Sequence, residues 1–111
     1  MVVVLVTAAV NAVVGVGGLM RAPFVVANSS QVRVPESWVP ALGAAKLAGA
    51  AGLVVGLVGI RSIGVAAAIG LTLFFVCAVG RHVQTGVLRT IPFPGLFLSL
   101  AVASLVILVR A

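Results

Sequence analysis

The sequence predicts an all-α fold, an integral membrane antiparallel four-helix bundle, from three observations. Hydrophobic residues make up 63% of the 111 and charged residues only 7%, where a soluble domain carries roughly 25% charge. Mean hydropathy is +1.40. The apolar residues fall into four runs, each near the roughly 20 residues that cross a hydrocarbon core. Such a composition cannot cover a molecule with a water-soluble surface, and the length suits a single transmembrane domain over 1–111.

The first run covers about 2–20 and is broken only by Thr7 and Asn11. Nothing basic follows Met1, so the charged leader of a cleaved signal peptide is missing and this run is expected to be a span. Residues 21–38 form the longest connection, with Pro23, Asn28, Ser29, Ser30, Pro35 and Ser37 giving it loop composition. Its apolar start, Phe24 to Ala27, and Trp38, a residue type that settles at membrane interfaces, predict an interfacial loop.

The second span, about 39–60, opens with Pro40, tolerable in a first turn because its missing N–H needs no partner there. Arg61 and Ser62 read as a tight turn, which makes the third span, about 63–80, an antiparallel neighbour. Arg81, His82, Gln84, Thr85, Gly86, Arg89 and Thr90 read as the next polar connection, and Pro92 and Pro94 open the last span, about 93–109. In the second span, Gly49, Gly52, Gly56 and Gly59 recur at spacings of three, four and three, with Ala45 extending the stripe. Small residues on one face let helix backbones approach closely in lipid. Gly15 with Gly18, and Gly64 with Ala67 and Ala68, offer similar surfaces, for the bundle itself or for a homo-oligomer.

Several functions are disfavoured by the residue inventory. Seven Lys and Arg against one acid give +6, but the cations stand singly at the ends of apolar runs, with no basic face or interleaved aromatics for nucleic acid; membrane lipid is the expected partner. One His, one Cys and one acid make no metal-ligand spacing, and the lone Cys77 forms neither an intrachain disulfide nor a redox pair. No intrinsic cofactor is expected. Proton-coupled export of cationic drugs needs an acid within a span, and none of the four has one.

The candidate site follows from topology. In an up-down-up-down bundle, Arg21, Glu36, Lys46, Arg81, His82 and Arg89 share one membrane face, and Arg61 and Arg110 the other. Loop cations number four on the first face (Arg21, Arg33, Arg81, Arg89) against two on the second, which predicts both termini outside the cytoplasm. Lys46 lies six residues past Pro40, about 9 Å into the helix. A charge inside the membrane costs roughly 2.5 to 3.5 kcal/mol on insertion scales. It is therefore either snorkelling towards the headgroups or serving an inward site. Glu36, Lys46 and His82 are the candidate catalytic set, for acid/base work or proton transfer. Asn11, Arg21, Trp38 and Arg81 are the candidate ligand-binding residues. Glu36 is equally a loop salt bridge, and Asn11 equally a bond between helices.

Three segments carry a family resemblance: VPESW at 34–38, LGAAKLAGAAGL at 42–53, and Gly80-Arg81-His82 closing the third span. Together with the surrounding runs they resemble the DoxX-like family of small bacterial four-helix membrane proteins, over about 11–110. The resemblance implies a lysine at 46 and a histidine at 82 as functional positions. It also implies an accessory or redox-linked membrane subunit in the cell membrane, with a polar pocket for a lipid-soluble molecule such as a quinone and a soluble oxidoreductase as partner. The alternative is an enzyme doing acid/base chemistry on an apolar isoprenoid-like substrate.

Overall fold

The computed structural model describes residues 2–31, 33–87 and 91–110, with Asn28, Ser29, Gln31 and Glu36 described in backbone only. The described residues form five α-helices and no strand: α1 (Val2–Leu19), α2 (Pro23–Gln31), α3 (Val39–Val58), α4 (Arg61–Thr85) and α5 (Pro92–Arg110), with a short 3-10 turn at Glu36–Trp38 before α3. α1, α3, α4 and α5 are long and apolar enough to cross a membrane. Helices close their backbone hydrogen bonds internally, as a lipid solvent requires. Hydroxyls follow the same rule: Thr72 donates to the Ala68 carbonyl at 2.7 Å and Ser99 to the Gly95 carbonyl at 2.9 Å, each one turn back in its own helix.

The four long helices form a closed ring in which α1 packs on α3 and α5, and α4 packs on α3 and α5. Contacts fix the antiparallel directions. Gly18 at the end of α1 meets Val39 and Gly43 at the start of α3, and Gly56 near the end of α3 meets Gly64 near the start of α4. A core of Val4, Ala8, Ala50, Leu53, Ala68, Leu71, Phe75, Ala101 and Leu108 fills the middle. Large apolar side chains such as Val13, Val58, Leu73 and Leu96 are exposed on the outside, the inverse of a soluble bundle and the natural surface towards lipid.

The glycines divide between two interfaces. A Cβ at Gly15 would lie 2.8 Å from the Gly43 carbonyl oxygen, and one at Gly43 would lie 2.5 Å from that of Gly15, so α1 and α3 meet backbone to backbone. On the other side of α3, a Cβ at Gly49 would lie 2.6 Å from Leu71 Cδ2, one at Gly52 would lie 2.6 Å from Ala67 Cβ, and one at Gly56 would strike the Gly64 Cα. Gly59 does not continue this stripe. It has open space around it and φ 147, and ends α3 with its N–H on the Val55 carbonyl, so glycine serves the turn there.

Two segments differ from the loops expected of their polarity. Within 21–38, residues Pro23–Gln31 are helical, with Val25 buried and the Phe24 ring against the end of α1, where a Cβ on Gly17 would lie 3.2 Å away. Polar composition there does not mark irregular backbone, because a helix closes its own backbone hydrogen bonds whatever side chains it carries. Likewise Arg61 and Ser62 are the first residues of α4, and Arg81 to Thr85 its last turn and more. At 25 residues the helix is about 37 Å long, beyond a hydrocarbon core of about 30 Å. Its polar end therefore continues the same helix beyond the apolar run. It closes at Gly86, φ 70, whose N–H bonds to the Val83 carbonyl at 3.2 Å while the Val87 N–H reaches that of His82 at 3.0 Å, a pairing that satisfies two end carbonyls.

Candidate functional site

Lys46 lies on the inward face of α3, in line with buried Val39, Gly43, Ala50 and Leu53. Its Nζ stands 5.3 Å from the Phe74 ring centroid and 5.8 Å from that of Phe75. The pairs Gly49 with Leu71 and Gly52 with Ala67 set residue 46 opposite residue 74. The ammonium thus reaches across to the rings of α4. Phe75 in turn packs edge-on to Phe74, centroids 5.1 Å apart, and against Phe97 of α5 at 5.2 Å. The ammonium thus rests on aromatic faces at one edge of the apolar core.

Those rings meet the charge with their faces but offer the ammonium's N–H groups no oxygen or nitrogen acceptor. Among the described residues no carboxylate pairs with Lys46. The expected bridge to Glu36 concerns a side chain outside the described atoms, as does Arg89 entirely.

His82 lies seven residues beyond Phe75 on α4 and is 4% exposed, about 10 Å further towards the bundle end. Its Nδ1 sits 2.9 Å from the Ala78 carbonyl, and its Nε2 is buried without a hydrogen-bond partner. A carbonyl only accepts, so in the neutral ring Nδ1 holds the proton and Nε2 is a bare acceptor. Lys46 and His82 do not bond to each other in the described contacts.

Asn11 is fully buried in α1, and its amide turns back to its own helix, with Nδ2 donating to the Thr7 carbonyl at 2.9 Å and Oδ1 left without a partner. The bond between helices belongs to its neighbour: Ser104 of α5 donates to the Thr7 hydroxyl at 2.9 Å. Thr7 spends its own proton on the Val3 carbonyl at 2.7 Å, with the Leu100 carbonyl at 3.3 Å as the weaker choice. The sequence signal for this pair was available, since Thr7 and Asn11 are one turn apart in an otherwise apolar run, but its α5 partner carried no signal of its own.

Arg21, Trp38 and Arg81 are exposed at the end of the bundle where α1 and α4 finish and α3 begins. An Arg81 guanidinium nitrogen donates to the Arg33 carbonyl at 3.3 Å, tying the first connection to the end of α4. Arg21 takes φ 51, a left-handed value. Its N–H bonds to the Gly18 carbonyl at 3.1 Å and that of Ala22 to the Gly17 carbonyl at 2.7 Å, so Arg21 occupies the closing position of α1 that glycine usually takes.

A groove of about 370 Å³ runs between α3 and α4 on the lipid side, lined by Ala45, Ala48, Gly49, Ala67, Gly70, Leu71 and Phe74. Phe74 is both a wall of this groove and the ring beneath Lys46. A Cβ on Gly70 would meet nothing within 4 Å, so glycine there leaves the groove open and serves no helix contact.

A family model described as the DoxX-like family matches residues 2–104. The chain belongs to the DoxX-like family. The match takes in all of α1 to α4 and most of α5, so it includes every residue of the interior constellation in this DoxX-like protein. No curated protein and no solved structure matches the chain.

Proposed function

We propose that this DoxX-like protein is a multi-pass accessory subunit of the cell membrane, linked to redox chemistry, whose interior site at Lys46 holds a lipid-soluble quinone-like molecule. The observation that carries the reading is the Lys46 ammonium, set within the α3 helix on two ring faces and, among the described residues, without a carboxylate to pair with. A ligand oxygen accepting from Nζ, with its ring against Phe74 at the α3–α4 groove, supplies what the site lacks. The α3–α4 groove gives an apolar chain a place beside Phe74. The protein holds no cofactor motif of its own, so electrons would come through a soluble oxidoreductase docked at the end bearing Arg21, Arg33 and Arg81.

The test is titration of a short-tailed benzoquinone into the purified chain in detergent, read by calorimetry, with Lys46→Met alongside. The variant keeps length and removes charge, so folding holds or improves, while affinity drops about tenfold or more, the equivalent of one charge-assisted hydrogen bond. Unchanged affinity would remove Lys46 from the site. Recovery of an oxidoreductase with the tagged protein from its native membrane tests the docking arm.

A further inference from the structure

The α3–α4 groove continues towards the bundle end that carries Arg21, Arg33 and Arg81. On α4, Ala67, Gly70 and Phe74 line it, and the same steps of three and four residues lead on through Cys77 to Arg81, both exposed. On α3, Ala48 and Ala45 line it, and the steps lead back through Ala41 to Trp38, which is 59% exposed. Every exposed residue from Ala41 to Ala51 is alanine, so the α3 wall stays low along the whole path. The contacts of Gly49 with Leu71, Gly52 with Ala67 and Gly56 with Gly64 set Trp38 opposite Arg81 and His82. The Arg81 guanidinium donates to the Arg33 carbonyl at 3.3 Å, in the connection that leads into α3, and is thereby held on the α3 side of α4.

We infer that this groove is a site for one anionic phospholipid of the surrounding bilayer, with its phosphate at Arg81 beside Trp38 and one acyl chain laid between α3 and α4 as far as Gly70. Depth agrees with that occupant. Along α4, Arg81 stands about 10 Å from Phe74 and about 16 Å from Gly70. The chains of one leaflet run about 15 Å from headgroup to midplane, half of a core of roughly 30 Å. Trp38 marks the same headgroup level, where tryptophan is enriched. A guanidinium has five N–H donors in a planar fork, enough for a carbonyl and a phosphate together. Charge favours an anionic head over a zwitterionic one, because Arg21, Arg33 and Arg81 are all exposed at this end of a chain of net charge +6. The quinone-like reading shares only the groove, which holds one chain at a time.

Trp38 is the only tryptophan in the chain, so its fluorescence reports on this end alone. The full chain is placed in phosphatidylcholine vesicles containing rising fractions of phosphatidylglycerol brominated on its chains near the headgroup, which quenches an adjacent indole. Brominated phosphatidylcholine serves as the comparison. Phosphatidylglycerol is expected to reach half-quenching at about a fivefold lower fraction, the worth of one arginine near an anionic headgroup. Arg81→Gln should abolish that preference and Arg81→Lys keep it. Gly70→Leu should abolish it too, because a chain kept out of the groove cannot hold its head beside Trp38. Arg110→Gln removes the same charge at the other end of the bundle and should leave the preference intact. If Arg81→Gln fails to fold, Gly70→Leu against Arg110→Gln decides. Equal quenching by the two lipids would overturn the site, and a dimeric mass in detergent would then give the groove to a second copy of the chain. A preference kept in Arg81→Gln or Gly70→Leu, or lost equally in Arg110→Gln, would reduce it to general charge attraction and overturn the site likewise. So would displacement of the brominated lipid by glycerol 1-phosphate, which has the phosphate and no chain. Each of these failures leaves the Lys46 reading standing, since Lys46 takes no part in the measurement.

Discussion

Adding one methyl group to α3 should have opposite effects at positions that look alike in sequence and at one in the facing helix. At Gly52 the new Cβ would lie 2.6 Å from the Ala67 Cβ, and at Gly56 it would fall on the Gly64 backbone. Carbon atoms rest at about 3.5 to 4.0 Å, so α3 and α4 must part by roughly 1 Å to admit it. Overpacking of this kind costs about 1 to 3 kcal/mol, and the Gly56 site is worse because backbone cannot rotate away as a side chain can. At Gly70 a Cβ meets nothing. The remaining effect there is helix propensity, which favours alanine by about 0.5 to 1 kcal/mol. Gly52→Ala and Gly56→Ala are therefore expected to melt lower in detergent and Gly70→Ala at or above the parent, followed by circular dichroism at 222 nm, a wavelength where helix signal is strong. Equal losses at the three positions, or the largest at Gly70, would refute the assignment of Gly52 and Gly56 to a packing face.

Other substitutions probe separate features. Gly70→Leu fills the groove without touching a helix contact, so its melting temperature should hold while affinity for a long-tailed ligand falls more than that for a tailless one. Arg21→Gly relieves a left-handed φ of 51 and should raise stability by about 1 kcal/mol, checked by denaturant titration; a loss would mean that the guanidinium holds the end of α1 in place. Ser104→Ala removes the bond between α5 and α1 and should cost about 0.6 kcal/mol, the usual worth of such a bond in a membrane. A double cycle with Thr7→Val measures that coupling directly. A reporter fused after Ala111 should be active outside the cytoplasm, as the cation count between the two faces requires; activity confined to the cytoplasm would reverse the orientation.

Class and span number were legible in the amino-acid sequence because lipid imposes a coarse rule that composition alone can meet: about 20 apolar residues per crossing, every backbone bond closed within the segment. The depth of Lys46 was equally legible, since helical rise converts residue count to distance. Helix ends were less so. Arg61, Ser62 and Arg81 to Thr85 are helical although polar, as is Pro23–Gln31, because hydrophobicity reports where the hydrocarbon stops and not where the hydrogen-bond ladder stops. Only the tertiary structure decided the rest. It separated Gly59, a turn glycine, from Gly52 and Gly56, which bear a neighbour, and added Gly43 to the face against α1. It placed the Lys46 ammonium on Phe74 and Phe75, turned Asn11 back onto Thr7, and gave the helix-to-helix bond to Ser104. In lipid an apolar helix face has no solvent reason to turn one way, so the pairing of faces comes from the close approach of small residues and the need of each buried polar atom for a partner, and both depend on what stands opposite.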